Sequence, residues 1–520
     1  MKKIAFLIIG LALSCNSSQK TVSGNGESSS ETADPSTYAA SITEGELKEL
    51  LYTYASDEFE GRETGQPGQK KAVEYLKAFY KDLGIPAAQE NGDYFQHVPL
   101  EMSKLPTGTM TINGQEHGIG EDFLTFSVAQ GNYEEVVFVG YGIDEEGYSD
   151  YKDVDVAGKL ILIKSGEPKK ENGTYVLSGS EEKSVWSNMS ESIGKRMEVA
   201  AKKGAKAVLY YDMDNFDRFK TRYEYMLAND SGRMGLKNQQ EEGFSSFFIN
   251  ATLAKSLLPN IADVSAPKTL PISVDMAIES KNEEVSSENV VAILKGSEKP
   301  SEYVIISSHL DHIGVSKDGE INNGADDDGS GSVSMLEIAE AFKKAADAGN
   351  GPKRSIVFLH VTGEEKGLLG SQYYTDVDPI FPLERTVADL NIDMIGRIDP
   401  KREGERNYIY LIGSDKLSTE LHELSEEINK KYTNIELDYT YNDENDPNRF
   451  YYRSDHYNFA KNNIPIIFYF NGTHDDYHRA GDTPDKINYD LLENRSRLVF
   501  HTAWEIANRK ARLIVDKAAE

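Results

Sequence analysis

The stretch "EYVIISSHLDHIG", Glu302–Gly314, with "NNGADDDGSG", Asn322–Gly331, and "SVSMLEIAEAFKKAA", Ser332–Ala346, decides how this chain is read. An unbroken apolar run from Tyr303 to Ile306 marks a strand buried on both faces, and apolar residues at helical spacing after Gly331 mark a helix. Between strand and helix, three adjacent carboxylates sit among glycines, a few residues beyond two histidines. The same texture recurs around it: "NVVAIL", "RSIVFLHV", "RTVADLNI" and "IPIIFYF" are short buried-strand runs, most of them divided by helical segments. That alternation implies a largely parallel α/β sheet with helices on both faces, and such sheets place their sites at the carboxyl ends of their strands.

Each chemically capable residue falls at such an end. His309 and Asp311 follow "EYVIISS"; Asp327 lies in the glycine loop that opens the helix; Glu364 and Glu365 follow "RSIVFLHVTG"; Asp393 ends "RTVADLNI"; His478 follows "IPIIFYFNGTHDDY". Taken singly, each has a plainer explanation. Acids are abundant here, with 86 Asp plus Glu against 56 Lys plus Arg, and "GEE" also suits a helix N-terminus. "GADDDGSG" lacks the alternating acids of a calcium loop. As a set, they are what a metal would collect.

The bulk composition narrows the partners. A net charge of -30 argues against nucleic acid, because a phosphate backbone selects basic surfaces. A length of 520 residues suggests two or three domains. "MKKIAFLIIGLALSC" reads as an export signal too short to span a bilayer as a mature helix, and Cys15 is the only cysteine, which excludes disulfides and a cysteine nucleophile in the folded part. "ALSC" resembles the lipobox of bacterial lipoproteins. The expectation is an exported protein anchored by lipid at Cys15, facing the periplasm or cell surface, with a plain secreted protein as the alternative and no other membrane contact. Residues 16–40 then form a polar tether.

Three segments follow. Residues 41–117 carry helical spacing interrupted by a Gly and Pro loop, as in "DEFEGRETGQPGQKKAVEYLKAFYKDLGI". Residues 118–284 change to short β-branched runs such as "EEVVFVGYG", "GKLILIKSG" and "AKAVLYYDM". Residues 285–520 carry the alternating pattern and all the candidate site residues.

The ordered set "HLDH", "GADDDGSG", "TGEE", "NIDMIG" and "YHRAGDT" resembles the dizinc aminopeptidases of metallopeptidase family M28, of the bacterial leucyl aminopeptidase type. "YKDVDVAGKLILIKSGEP" with "RMEVAAKKGAKAVLYY" resembles the protease-associated domain often inserted in that family. The resemblance implies a three-layer α/β/α peptidase core with a mixed, mostly parallel sheet and an inserted β-rich domain over 118–284. It implies two zinc ions, with His309 and Asp393 on one, Glu365 and His478 on the other, and Asp327 bridging. Asp326 and Asp328 then belong to the loop or support the ligands from behind. Glu364 resembles the general base, and Asp311 is expected to orient His309.

In "YYRSDHYNF", Asp455 or His456 is a candidate substrate contact, with a structural Asp–His pair as the equal alternative. His312, His360 and His474 are read as structural. The implied activity is hydrolysis of N-terminal residues from peptides. The alternatives are a carboxypeptidase or a one-zinc glutaminyl cyclase on the same fold, and a non-catalytic binding protein of the transferrin-receptor type. No nucleophile-elbow pattern supports serine hydrolase chemistry.

Overall fold

A computed structural model describes residues 34–229, 231–237 and 244–518. The expected export signal, Cys15 and most of the tether lie outside the described residues. Among those described, no helix is long and apolar enough to cross a membrane.

The largest sheet is built from β1 (Phe95–Lys104), β2 (Gly232–Leu236), β3 (Glu283–Leu294), β4 (Lys299–His309), β5 (Arg354–Val361), β6 (Thr386–Ile392), β7 (Tyr408–Ile412), β8 (Glu436–Asp438) and β9 (Ile466–Phe470). Their order is β2-β1-β3-β5-β4-β6-β9-β7-β8. The central four, β5-β4-β6-β9, are mutually parallel. Antiparallel pairs extend the sheet on both sides, β1 with β2 and β3 and β3 with β5 on one, β7 with β9 on the other.

Burial on both faces explains the continuous apolar runs, and within them alternate residues serve different layers. Val304 and Ile306 of β4 pack under the helices α1 (Glu44–Tyr54), α2 (Pro67–Asp82), α3 (Gly331–Asp347), α4 (Thr419–Tyr432) and α5 (Tyr489–Asn508). Tyr303 and Ile305 face the opposite layer, with Tyr374, Phe459 and Phe381. The architecture is three-layered α/β/α. The helix ends follow local chemistry: the Thr43 side chain caps α1 by accepting from the Glu46 N–H, and Pro67 opens α2, where no amide donor is needed.

Two smaller sheets fill the middle of the chain. A six-stranded sheet takes Phe123–Thr125, Val136–Phe138, Leu160–Lys164, Ala207–Tyr211, Ser245–Ile249 and Lys268–Leu270. A four-stranded sheet takes Thr107–Ile112, Gln115–Gly118, Ala129–Tyr133 and Val274–Glu279. Their own core includes Met110, Phe138, Leu162, Leu209, Phe247 and Met276. Two features depart from a simple cut at residue 118. The strand Thr107–Ile112 already pairs with Val274–Glu279, and β2, from within 118–284, returns to the edge of the large sheet against β1.

Candidate metal centre

The carboxyl ends of β5, β4, β6 and β9 bring together His309, Asp327, Glu364, Glu365, Asp393 and His478. His309 Nε2 lies 3.2 Å from Asp327 Oδ1 and 3.6 Å from Asp393 Oδ1. His478 Nε2 lies 3.1 Å from Asp327 Oδ2 and 3.0 Å from Glu365 Oε2. Asp327 therefore offers one oxygen to each side, the arrangement a bridging ligand requires. His478 is reached from solvent, with 36% of its side chain exposed, whereas the side chains of His309, Asp327, Glu365 and Asp393 are no more than 10% exposed and Glu364 is half-buried. His478 and Met394 both hold left-handed backbone, at φ of 55° and 58°, a conformation uncommon outside glycine that concentrates at functional sites.

His312 joins the cluster, contrary to its reading as purely structural. Its Nδ1 is 2.9 Å from Glu365 Oε1 and 3.7 Å from Asp327 Oδ2. The signal was present in "HLDH", where it follows His309 by three residues. Asp327 Oδ2, Glu365 Oε1 and both His312 ring nitrogens are buried without a hydrogen-bond partner among the described residues. Buried polar atoms are seldom left so, and acceptors crowded against imidazoles with open lone pairs suit a cation.

The three adjacent aspartates divide the labour. Potential ligand atoms of His309, Asp328 and Asp393 lie within 4.8 Å of one another, as do those of His312, Asp327 and Glu365. Asp328 is nonetheless committed elsewhere: Oδ1 accepts from the amides of Gly331 (2.9 Å) and Met394 (3.1 Å), and Oδ2 from that of His309 (3.2 Å). Asp326 accepts from the Gly396 amide (2.7 Å) and from Asn471 Nδ2 (3.0 Å). The outer pair thus ties the loop to β4, β6 and β9, which leaves Asp327 free for a ligand.

Asp482, from "YHRAGDT", accepts from the amides of Asp326 and Asp327 at 3.0 to 3.1 Å. Buried Arg62 donates to the carbonyls of Leu310, Asn323 and Gly324. Neither was singled out in the sequence, since a lone Arg or Asp carries no spacing that betrays such a bracket.

Asp311 supports the site differently from the sequence expectation. The His309 ring meets the Asp311 backbone carbonyl, with Nδ1 at 3.0 Å. The Asp311 carboxylate instead accepts from Thr64 Oγ1 (2.7 Å) and from the Glu364 amide (3.2 Å), so it fixes the turn that carries Glu364. Asp455 and His456 are corrected as substrate contacts, because both are fully buried. Asp455 accepts from Ser371 Oγ at 2.5 Å, and His456 stacks on Phe468 with Nε2 at 2.8 Å from the Tyr451 carbonyl. Ser454, beside them, donates to Asp393 Oδ2 at 2.6 Å.

The electrostatics separate the neighbouring glutamates. Burial raises both, but His312 and His478 outweigh it at Glu365 and hold that carboxyl down at about 2. Burial, reinforced by Glu365, Asp393 and Asp455 against the pull of His309, pushes Glu364 well above the carboxylate range. The Glu364 carboxylate accepts no hydrogen bond among the described residues. It lines a cleft with Asp327 and Asp393, together with Met394, Phe450, Phe468, Phe470, Tyr477 and the exposed Arg453.

A three-layer α/β/α fold that gathers imidazoles and unsatisfied carboxylates at its strand ends defines an enzyme able to hold metal. Residues 289–503 match the model of Peptidase family M28. The chain carries a peptidase domain of family M28 and is a peptidase. It is 25% identical over 494 residues to a probable leucine aminopeptidase 2 of Aspergillus oryzae, covering 89% of this chain and 82% of that one. Over 106 residues it is 34% identical to a probable glutamate carboxypeptidase of Arabidopsis thaliana, covering 20% of this chain and 14% of that one. Among solved structures it is similar to an aminopeptidase from Aneurinibacillus sp. strain AM-1, with a TM-score of 0.49 and 20% identity, covering 94% of this chain and all of that one.

Proposed function

We propose that the chain is a zinc aminopeptidase that removes N-terminal residues from peptides. The observation that carries this reading is the convergence of His309, Asp327, Glu365, Asp393 and His478, with the inner oxygens of Asp327 and Glu365 left unsatisfied. That donor set of imidazole and carboxylate fits zinc. His309 and Asp393 would hold one ion and Glu365 and His478 the other, with Asp327 shared; His312 is a further donor on the Glu365 side. Two such ions together would activate a water molecule and polarise the scissile carbonyl.

The protein's own groups account for the rest. Glu364 stands beside the cluster on a turn fixed by Asp311, with its carboxylate open to the cleft. Its raised proton affinity suits a group that takes a proton from water and returns it to the leaving amine. Glu364 and Asp393 also present carboxyl oxygens that can accept hydrogen bonds from a substrate's α-ammonium. The wall of Met394, Phe450, Phe468 and Phe470 favours an apolar first side chain.

Arg453 in the cleft lining supports a second reading, because a carboxypeptidase needs a cation for the α-carboxylate. One peptide supplied with a free N-terminus, N-acetylated, and C-amidated separates the two. The aminopeptidase reading expects acetylation to abolish hydrolysis and amidation to be tolerated; the reverse pattern makes it a carboxypeptidase.

A further inference from the structure

The turn that carries Glu364 has a second face. Gly367 and Leu368 both donate their amides to the Glu364 carbonyl, and this tight fold turns Lys366, Gly367 and Leu369 towards a cavity of about 680 Å³. Arg233 and Met234 of β2, Phe126 and Met226 line the same cavity. Lys366 is two residues from Glu364, at most about 7 Å along the chain.

The charges lining this cavity are unevenly satisfied. Lys104 pairs with Glu283 at 2.8 Å, Lys366 pairs with Glu63 at 2.8 Å, and Glu101 accepts from Asn282 at 2.5 Å. The exposed Arg233 side chain has no ion pair or hydrogen bond among the described residues. In a chain of net charge -30 acids are plentiful, so an unpaired arginine in a cavity wall points to a negative charge that arrives with a ligand. The apolar part is also poised for contact: Phe126 is 64% exposed, and Met226 continues into an adjoining apolar cavity of about 330 Å³ beside Phe219, Tyr223 and Phe248.

We infer that this cavity receives the part of the peptide downstream of the scissile bond, with an apolar side chain against Phe126 and Met226 and a carboxylate at Arg233. The inference rests on the aminopeptidase reading, in which the amine end is held at Glu364 and Asp393 and the remaining chain leaves past the Glu364 turn. The carboxylate is the C-terminus of a short peptide or the side chain of a downstream Asp or Glu.

The test uses the full-length enzyme with leucine p-nitroanilide, which carries no amino acid beyond the scissile bond, and leucine-initiated tri- to pentapeptides. Each peptide is made with a free C-terminus, as an amide, and as an amide with one downstream Asp or Lys. For at least one length, kcat/KM relative to the p-nitroanilide should be about tenfold higher with the carboxylate than without it, chiefly through KM, the size of one charge-assisted hydrogen bond. Preference for the free C-terminus alone identifies the chain end as the source; preference for the Asp amide identifies the side chain.

Arg233→Glu should erase this preference and favour the Lys peptide, and Arg233→Gln should erase it without reversal, which keeps the test readable should the first variant fold poorly. Equal relative values in wild type and both variants would overturn the inference. Loss of p-nitroanilide hydrolysis in the wild type would instead strike the aminopeptidase reading itself.

Discussion

The six-stranded and nine-stranded sheets both carry acids just past parallel strands, yet treat them in opposite ways. After Leu160–Lys164, Glu167 accepts from the Ser184 amide, Ser184 Oγ and Ser187 Oγ at 2.6 to 2.8 Å. After Ala207–Tyr211, Asp212 accepts from the amides of Asp214 and Asn215 and from Asn215 Nδ2 at 3.0 to 3.1 Å. These acids are finished pieces of loop structure. At the ends of β4, β5, β6 and β9 the corresponding acids face imidazoles instead, and Asp327 and Glu365 each keep a buried oxygen without a donor. Burial and acidity are common to both regions. The unsatisfied oxygens, and the histidines set against them, distinguish a site from a loop.

The widest separation is expected within the site. Glu364→Gln should retain metal while losing about 10²- to 10⁴-fold or more in kcat, the worth of general base work. Glu365→Gln should lose metal as well, because its oxygens face His312 and His478 rather than the open cleft. Metal analysis beside turnover of a small amino acid p-nitroanilide reads both, and identical behaviour of the two variants would remove the division of roles between neighbours.

On the other side of the comparison, Glu167→Ala should lower the unfolding midpoint and leave p-nitroanilide turnover and metal content unchanged. It strips acceptors from three donors, at a cost on the order of 1–3 kcal/mol. Loss of turnover out of proportion to loss of fold would place the smaller sheet in the chemistry.

A separate, pH-dependent effect concerns Glu337, buried in α3 with Oε2 unpartnered. Burial, with Glu46 and Glu340 adding to it, pushes this carboxyl from 4.5 up to about 8. The folded chain keeps that proton while the unfolded chain releases it. Its contribution to stability is therefore full below the unfolded value and is lost as the pH rises towards the folded one. Glu337→Gln should gain on the wild type in unfolding midpoint between pH values of about 5 and about 8; a constant gap would show that Glu337 is already ionised in the fold.

Much of the large sheet was legible because strands buried on both faces leave continuous apolar runs, and because helices follow them at helical spacing, as after Gly331. The cluster was legible because His309, Asp327, Glu364, Glu365, Asp393 and His478 all fall at strand ends. What escaped depends on distances that sequence does not carry. His312 looks the same as a packed histidine until Glu365 is placed 2.9 Å away. Asp311 shows its side chain in the sequence but orients His309 through its carbonyl. Asp455 and His456 look like a site pair, and only burial reveals them as packing. The pairing of β2 with β1 joins residues far apart in the chain, and no local pattern announces it.

The most direct test of the central claim is metal content measured on the purified, active full-length chain, with activity followed on the same sample through chelation and zinc return. Two zinc ions per chain, activity lost to the chelator and regained with zinc, is the expected result. One tightly held ion at full activity would contradict the shared role of Asp327, and an active chain free of metal would contradict the metal centre altogether.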